Sequence, residues 1–501
     1  MVTAVKVQGN ALVDGDGTPL QLRGVNCSAL EFVAIQYASA SPKTNFDNWG
    51  GQKPNLSAVK SWGANSIRVP LNEQSYLGLV CTDQTGAQLL ADPGGNYRSA
   101  VKAIVDSATA LGLAVILDLH KNTANFTPAG ASTAVPGLSN TSGQSEMADA
   151  DHSYDFWSAV ANDYKTYPNV LFDLFNEPHI DNFQNPSTFS PNPGTSLPAG
   201  LNTEAAWAWA VWRDGGTGKL IYANNQTYSQ NYASAGMQAM LDAVRATGAT
   251  NICMAGGVSW AQDLALWTQF CPIDPIKQLA CSWHAYPSQQ NPAYPSYPPG
   301  TWWGQPKGSF DYAADILAAG YPIIIGETGD DPNNQLMPVL LPWADAHKVS
   351  VTAWTWDVGW GNDSLIADAS GTPVNTGIAY KQWLQTHTSG GTPVSTTQNA
   401  ALSIAYNSVA GFPAGSVVDH INVALTAKNN TANTPPAKNV APGTANVTFT
   451  GLAPDTYQIA VQAMPATGSG FGTPASGSIT ITQVNTTISL SLPSTVTATQ
   501  P

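Results

Sequence analysis

Two glutamates end apolar runs far apart in the chain. Residues 170–178 read Val-Leu-Phe-Asp-Leu-Phe-Asn-Glu-Pro, and residues 321–329 read Tyr-Pro-Ile-Ile-Ile-Gly-Glu-Thr-Gly. A near-continuous apolar run fits a parallel strand covered on both faces. Proline cannot extend a ladder, so the first strand is expected to stop at Glu177. Each run leaves a carboxylate at the carboxyl end of a strand, where α/β barrels build their sites. One such acid is commonly a turn cap. Two carboxyls from different strands of one barrel can flank a single bond, which is the minimal equipment for glycoside hydrolysis.

The intervening segments have the length and periodicity to place these strands in a ring. A hairpin at 2–22, turned by Asp14-Gly15-Asp16-Gly17, leads to a first barrel strand at 23–26. Further strands are expected at 66–70, 114–120, 170–177, 251–256, 279–284, 323–327 and 350–356. Helical spacing lies between them at 56–62, 97–111, 155–164, 233–246, 310–319 and 336–347, with a closing helix at 378–386. This is the pattern of an α/β (β/α)8 barrel, assigned to residues 1–388. Residues 389–397 have linker composition. Beyond them, at 398–501, helical periodicity gives way to short strands between turns, as in an immunoglobulin-like or fibronectin type III-like sandwich.

Around the two glutamates, further polar and aromatic residues fall at or near strand ends: Arg68, His120, Asn176, His284, Tyr286 and Trp354. In a barrel these ends converge on one face. Trp356 is the alternative to Trp354, two residues on and therefore on the same face of an extended strand. The long connections 121–150, 179–230 and 285–307 leave the same ends, and the last carries Tyr294, Tyr297, Trp302 and Trp303 among prolines. Such loops can build sugar subsites or be pinned by their own aromatic clusters.

Composition narrows the partners. The chain has 501 residues, 10% of them charged, and a net charge of −14. So acidic a chain is a poor ligand for nucleic acid or an anionic membrane. No apolar run is long enough to span a bilayer. Acidity, low charge and abundant Ser, Thr, Gly and Asn fit a secreted, extracellular protein, which is expected to act as a monomer. The 16 tryptophans exceed what a core alone calls for, since indoles also stack on sugar rings. The five cysteines show no zinc spacing. Cys27 with Cys81, and Cys271 with Cys281, are the pairings considered, leaving Cys253 free. No cofactor is expected. Strand one lacks a His-x-His metal pair, no glycine-rich phosphate loop occurs, and Asp330 and Asp331 read as a solvated turn rather than a calcium site.

The ordered pieces LRGVN at 22–26, SIRVP at 66–70, ILDLH at 116–120, FNEP at 175–178, HAY at 284–286, GE at 326–327 and AWTW at 353–356 resemble glycoside hydrolase family 5, the cellulase family. They cover every barrel strand except the fifth and exclude the C-terminal module. The resemblance implies a retaining enzyme with Glu327 as nucleophile and Glu177 as acid/base. Arg68 and Tyr286 then support Glu327, Asn176 contacts the sugar 2-hydroxyl, His120 and His284 contact sugar, and Trp354 is the platform beneath it. Asn26 falls where the family has a structural residue. The expected substrate is a β-1,4-linked glucan cleaved internally. Mannan, mixed β-glucan and exo-cleavage remain alternatives, as do a non-catalytic carbohydrate-binding barrel and a chain whose functional part is the C-terminal module.

Overall fold

The computed structural model describes residues 2–32, 53–82, 88–92, 95–122, 147–179, 189–201, 204–221, 227–286, 308–329 and 336–387, then 398–401, 405–406, 418–428, 431–441, 446–452, 455–466, 471–481, 486–491 and 495–496. Tyr294, Tyr297, Trp302, Trp303, Asp330 and Asp331 lie outside the described residues. The chain divides into two compact units, residues 1–385 and 386–501.

In the first unit eight parallel strands close into a barrel. They are β1 (Arg23–Asn26), β2 (Ser66–Asn72), β3 (Ala114–Lys121), β4 (Val170–Asp173), β5 (Cys253–Gly256), β6 (Leu279–Ala285), β7 (Ile323–Thr328) and β8 (Ser350–Ala353). Each is buried along its length, apart from the half-buried Arg23 at the start of β1, as the apolar runs require. The fold is therefore the expected (β/α)8 TIM barrel.

Helices cover the outside through apolar stripes. Helix Tyr97–Ala110 buries Tyr97, Val101, Ile104, Val105 and Ala108, one face at helical spacing, and Gly112 follows in the left-handed region at φ 68°. Helix Leu56–Ser61 starts where the Asn55 side chain accepts from the Ala58 N–H. One further helix, Glu204–Asp214, lies inside a stretch that had read as a long loop; it buries Trp209 and Trp212.

Inside the barrel the lower layers are apolar. Leu22, Ala114, Ile116, Leu171, Ile252, Met254, Ala280 and Ile324 form one cluster with Val2, Val5 and Leu12 of the N-terminal segment. The Val2 and Val5 N–H groups donate to the carbonyls of Gly112 and Pro168, just before β3 and β4. The N-terminal hairpin thus closes the end of the barrel opposite the mouth. Above these layers the inward positions become polar.

The β6–β7 ladder carries one irregularity. Trp283 pairs with Ile325, but His284 pairs with Glu327, so Gly326 is an extra residue on β7. Counting by twos from the inward Ile324 would send Glu327 outward. The bulge resets the count. The Gly326 carbonyl takes the inward place, accepting from Asn26 Nδ2 at 3.0 Å and from the Thr352 hydroxyl.

The second unit is all β among its described strands. A four-stranded antiparallel sheet runs in the order Lys438–Val440, His420–Ala427, Asp455–Met464, Phe471–Ile481. Gln398–Ala401, Thr486–Ser491 and Asn446–Leu452 form a three-stranded sheet, and Ala405–Tyr406 pairs with Thr495–Val496. Alternate residues Ile421, Val423 and Leu425 share one buried cluster with Tyr457, Ile459, Val461, Val447, Phe449 and Leu452.

The considered cysteine pairings are not found. Cys27, Cys253, Cys271 and Cys281 are free thiols. Cys271 and Cys281 instead donate to the carbonyls of Thr268 and Ser282, at 3.7 and 3.6 Å. Cys81 sits on Val80–Thr82, and its side chain lies outside the described residues.

Candidate active site

At the barrel mouth Glu177 and Glu327 face each other across His284. The His284 Nδ1 lies 3.0 Å from Glu177 Oε1 and 3.7 Å from Glu327 Oε2. The nearest donor atoms of the three side chains all fall within 4.8 Å of one another. This trio is also the cluster, among the described residues, with the spacing to hold a metal ion. Both Glu327 oxygens are, however, already engaged, with Arg68 and Tyr286.

Glu327 is 4% exposed and takes one strong donor on each oxygen. Arg68 NH1 donates to Oε1 at 2.7 Å and the Tyr286 hydroxyl donates to Oε2 at 2.9 Å. Those are the partners of an anionic carboxylate. Burial, then the carboxylates of Glu327 and Glu177, hold the Tyr286 phenol well above its ordinary value, so it remains a donor.

Glu177 has the opposite surroundings. Burial raises its pKa from an ordinary 4.5 to about 7, against the opposing charges of Arg68 and Lys121. Below that pH it keeps a proton to give away. Burial also lowers His284 to about 3, so the imidazole between the carboxyls is neutral. Glu327 thus meets a cation and a hydroxyl donor, whereas burial favours the protonated form of Glu177, the contrast of surroundings that a nucleophile and an acid/base call for.

Arg68 is wholly buried and organises the layer beneath. Its NH1 donates to Asn26 Oδ1 at 3.0 Å, its NH2 to Asn176 Oδ1 at 2.8 Å, and its Nε to Asp173 Oδ2 at 3.1 Å. Asp118 Oδ2 lies 3.1 Å from NH2. Burial pulls the guanidinium pKa down, but Asp118, Asp173 and Glu327 outweigh it and the net shift is upward. Burial raises the two aspartates, Asp118 to about 7 and Asp173 to about 8. Three carboxyls around one cation are poorly compensated in a low dielectric.

The sequence-derived residues meet here with one exception. His120 Nδ1 lies 2.7 Å from Asp118 Oδ2, and its ring stacks on Trp354, with ring centroids 5.5 Å apart and planes 15° off parallel. Trp354 thus faces the mouth. Trp356 does not: it is 2% exposed, meets Trp62 edge-on at 4.7 Å and belongs to the core behind β1. The ladder of β8 ends at Ala353, so alternation by twos no longer applies beyond it.

Four residues of the site were not among the sequence candidates. Asn26 ties Arg68 to the β7 bulge, while Asp118 and Asp173 face Arg68 from β3 and β4. The fourth, Trp260, follows β5, the strand without a recognisable motif. Its ring lies parallel to His179 with centroids 3.8 Å apart, its N–H donates to the Pro178 carbonyl at 2.8 Å, and His179 Nδ1 lies 2.9 Å from the Glu177 carbonyl oxygen. Ser259, Trp260 and Ala261 hold φ of 57°, 61° and 58°. Successive left-handed L-residues are costly and persist only where surroundings enforce them.

Residues 13–359 match the family described as Cellulase (glycosyl hydrolase family 5). An endoglucanase of Clostridium saccharobutylicum is 24% identical over 262 residues, 52% of this chain and 38% of that protein. The chain spans well under half the length of the curated relatives it matches, between 26% and 38%. A β-glucanase of Saccharophagus degradans is similar at 20% identity and a TM-score of 0.45, over 77% of this chain and 94% of that one. A β-mannanase of Streptomyces thermolilacinus, solved with mannohexaose, is similar at 19% identity and a TM-score of 0.45, over 76% and 93%. The family match runs from the N-terminal hairpin to the loop after β8, more than half of the sequence, and the chain belongs to glycosyl hydrolase family 5.

Proposed function

We propose that the protein is a secreted, retaining glycoside hydrolase that cleaves β-1,4-glucosidic bonds within a glucan chain. The observation that carries the mechanism is the spacing of the two glutamates, whose nearest oxygens lie within 4.8 Å. Retaining enzymes set their carboxyls about 5–5.5 Å apart, whereas an intervening water needs about 6.5–9.5 Å. Glucan as the substrate rests on family membership and on relatives named as endoglucanases.

Glu327, anionic between Arg68 and Tyr286, attacks the anomeric carbon. The bond to the leaving oxygen breaks, and Glu177 supplies that oxygen with its proton. Water then attacks the anomeric carbon, its bond to Glu327 breaks to release that carboxylate, and Glu177, now a carboxylate, takes the water proton. Asn176 donates to the sugar 2-hydroxyl, Trp354 lies under the ring at the cleavage point, and Trp260 supports the sugar on the leaving-group side. The C-terminal sheets are read as a fibronectin type III-like sandwich forming a separate module.

Proton NMR of the first product from a β-linked glucan is expected to show the β-anomer before mutarotation. An initial α-anomer rules out the assignment of Glu327 as nucleophile. Reducing-end release from soluble β-glucan, mannan and xylan decides the sugar, and faster release from mannan overturns the glucan assignment.

A further inference from the structure

Arg68 carries donors only, and this fixes the hydrogen-bond roles of a closed ring beneath the sugar site. Its NH2 donates to Asn176 Oδ1 at 2.8 Å and faces Asp118 Oδ2 at 3.1 Å. Both oxygens must therefore accept. With Oδ1 turned to Arg68, the Asn176 amide presents Nδ2, a donor, to His120 Nε2 at 3.4 Å. That nitrogen must then be unprotonated. Burial keeps His120 neutral, so its proton sits on Nδ1. Nδ1 donates to Asp118 Oδ2 at 2.7 Å, the same oxygen that faces Arg68, and the ring closes. Reversing any one role sets a donor against a donor.

We propose that Asp118 is a positioning residue: it fixes the His120 tautomer and, through His120 and Arg68, holds the Asn176 amide with Nδ2 toward the sugar 2-hydroxyl. This rests on the reading of Asn176 given above. Asp118 itself is wholly buried and does not reach the mouth. Its neighbours are Arg68 from β2, His120 on its own strand, Asp173 from β4 and Glu177 beyond β4. Without an acceptor at position 118, His120 can carry its proton on Nε2, which then repels the Asn176 Nδ2–H. Arg68 still holds Asn176 Oδ1, so the amide cannot turn over; its Nδ2 is pushed away from His120 and off the line to the 2-hydroxyl.

The test compares kcat/KM on an aryl β-glycoside and on its 2-deoxy analogue for the wild-type protein, Asp118→Ala and Asp118→Asn. One hydrogen bond between neutral partners lost in the transition state corresponds to an effect of up to about tenfold. Asp118→Ala is expected to lose about tenfold more on the parent glycoside than on the 2-deoxy compound. Asp118→Asn falls between, because its amide oxygen can still accept from His120. Nitrogen-15 NMR of histidine-labelled protein should show His120 as the Nδ1–H tautomer in the wild type, and a mixture in Asp118→Ala. Equal losses on both substrates, with the wild-type tautomer retained, overturn the proposal. If Asp118→Ala does not fold, Asp118→Asn and the wild-type spectrum decide, and an Nε2–H tautomer in the wild type refutes the ring. If the wild-type protein itself shows no penalty for the missing 2-hydroxyl, the role of Asn176 falls first, and this inference with it.

Discussion

Replacing Glu177 by Gln preserves the shape of the side chain and removes its titration. The native carboxyl holds its proton up to about pH 7, while in the unfolded chain it lets go near 4.5. Between those values the native state binds more protons than the unfolded state, so stability falls as pH rises through the window and the whole cost is present above it. Raising a carboxyl from 4.5 to about 7 corresponds to about 3 kcal/mol. The side chain is 17% exposed, and contact with water trims this to about 2–3 kcal/mol. Glu177→Gln escapes the cost. Its stability relative to the wild-type protein is therefore expected to improve by about 2–3 kcal/mol between pH 4 and pH 8. Urea unfolding followed by tryptophan fluorescence is the assay, because all 16 tryptophans precede residue 386 and report the barrel unit alone. Asp118, Asp173 and Glu31, whose pKa values are also raised, titrate in both proteins and largely cancel in the difference. The same proton should set the alkaline limb of wild-type kcat/KM near pH 7. A stability difference that does not change between pH 4 and pH 8 refutes the raised pKa and transfers that limb to another group.

Two further substitutions probe how the site is held. A Cβ on Gly326 would stand 2.9 Å from Ser282 Oγ and 3.0 Å from His284 Nε2. Gly326→Ala is therefore expected to destabilise the barrel by about 1–3 kcal/mol and to lower kcat by displacing His284 from between the glutamates, measured by urea unfolding and steady-state kinetics. Trp260→Ala should raise KM for long oligosaccharides severalfold while sparing aryl glycosides, whose leaving group does not fill that side of the cleft; equal effects on both would remove Trp260 from the sugar path.

How far the site could be read in advance depended on one rule, alternation by twos along a strand. Glu177 was accessible because Pro178 closes the run, although the strand expected to reach Glu177 ends at Asp173, four residues earlier. His120 was accessible as the last inward residue of β3, and the same count back by two reaches Asp118, which an apolar strand reading had absorbed into the run Val-Ile-Leu-Asp-Leu. Asp173 was hidden in the same way, two residues beyond the inward Leu171. The rule misled at Trp356 because the β8 ladder stops at Ala353, and at Glu327 it gives the wrong face unless the bulge is known. A bulge belongs to a pair of strands: Gly326 becomes an extra residue only against Trp283 and His284 of β6, and its carbonyl is satisfied only by Asn26 of β1 and Thr352 of β8. Nothing in Ile-Ile-Ile-Gly-Glu alone carries those partners. Local pattern identifies which residues lie on a strand. The register between strands, decided by partners hundreds of residues away, determines which of them reach the mouth.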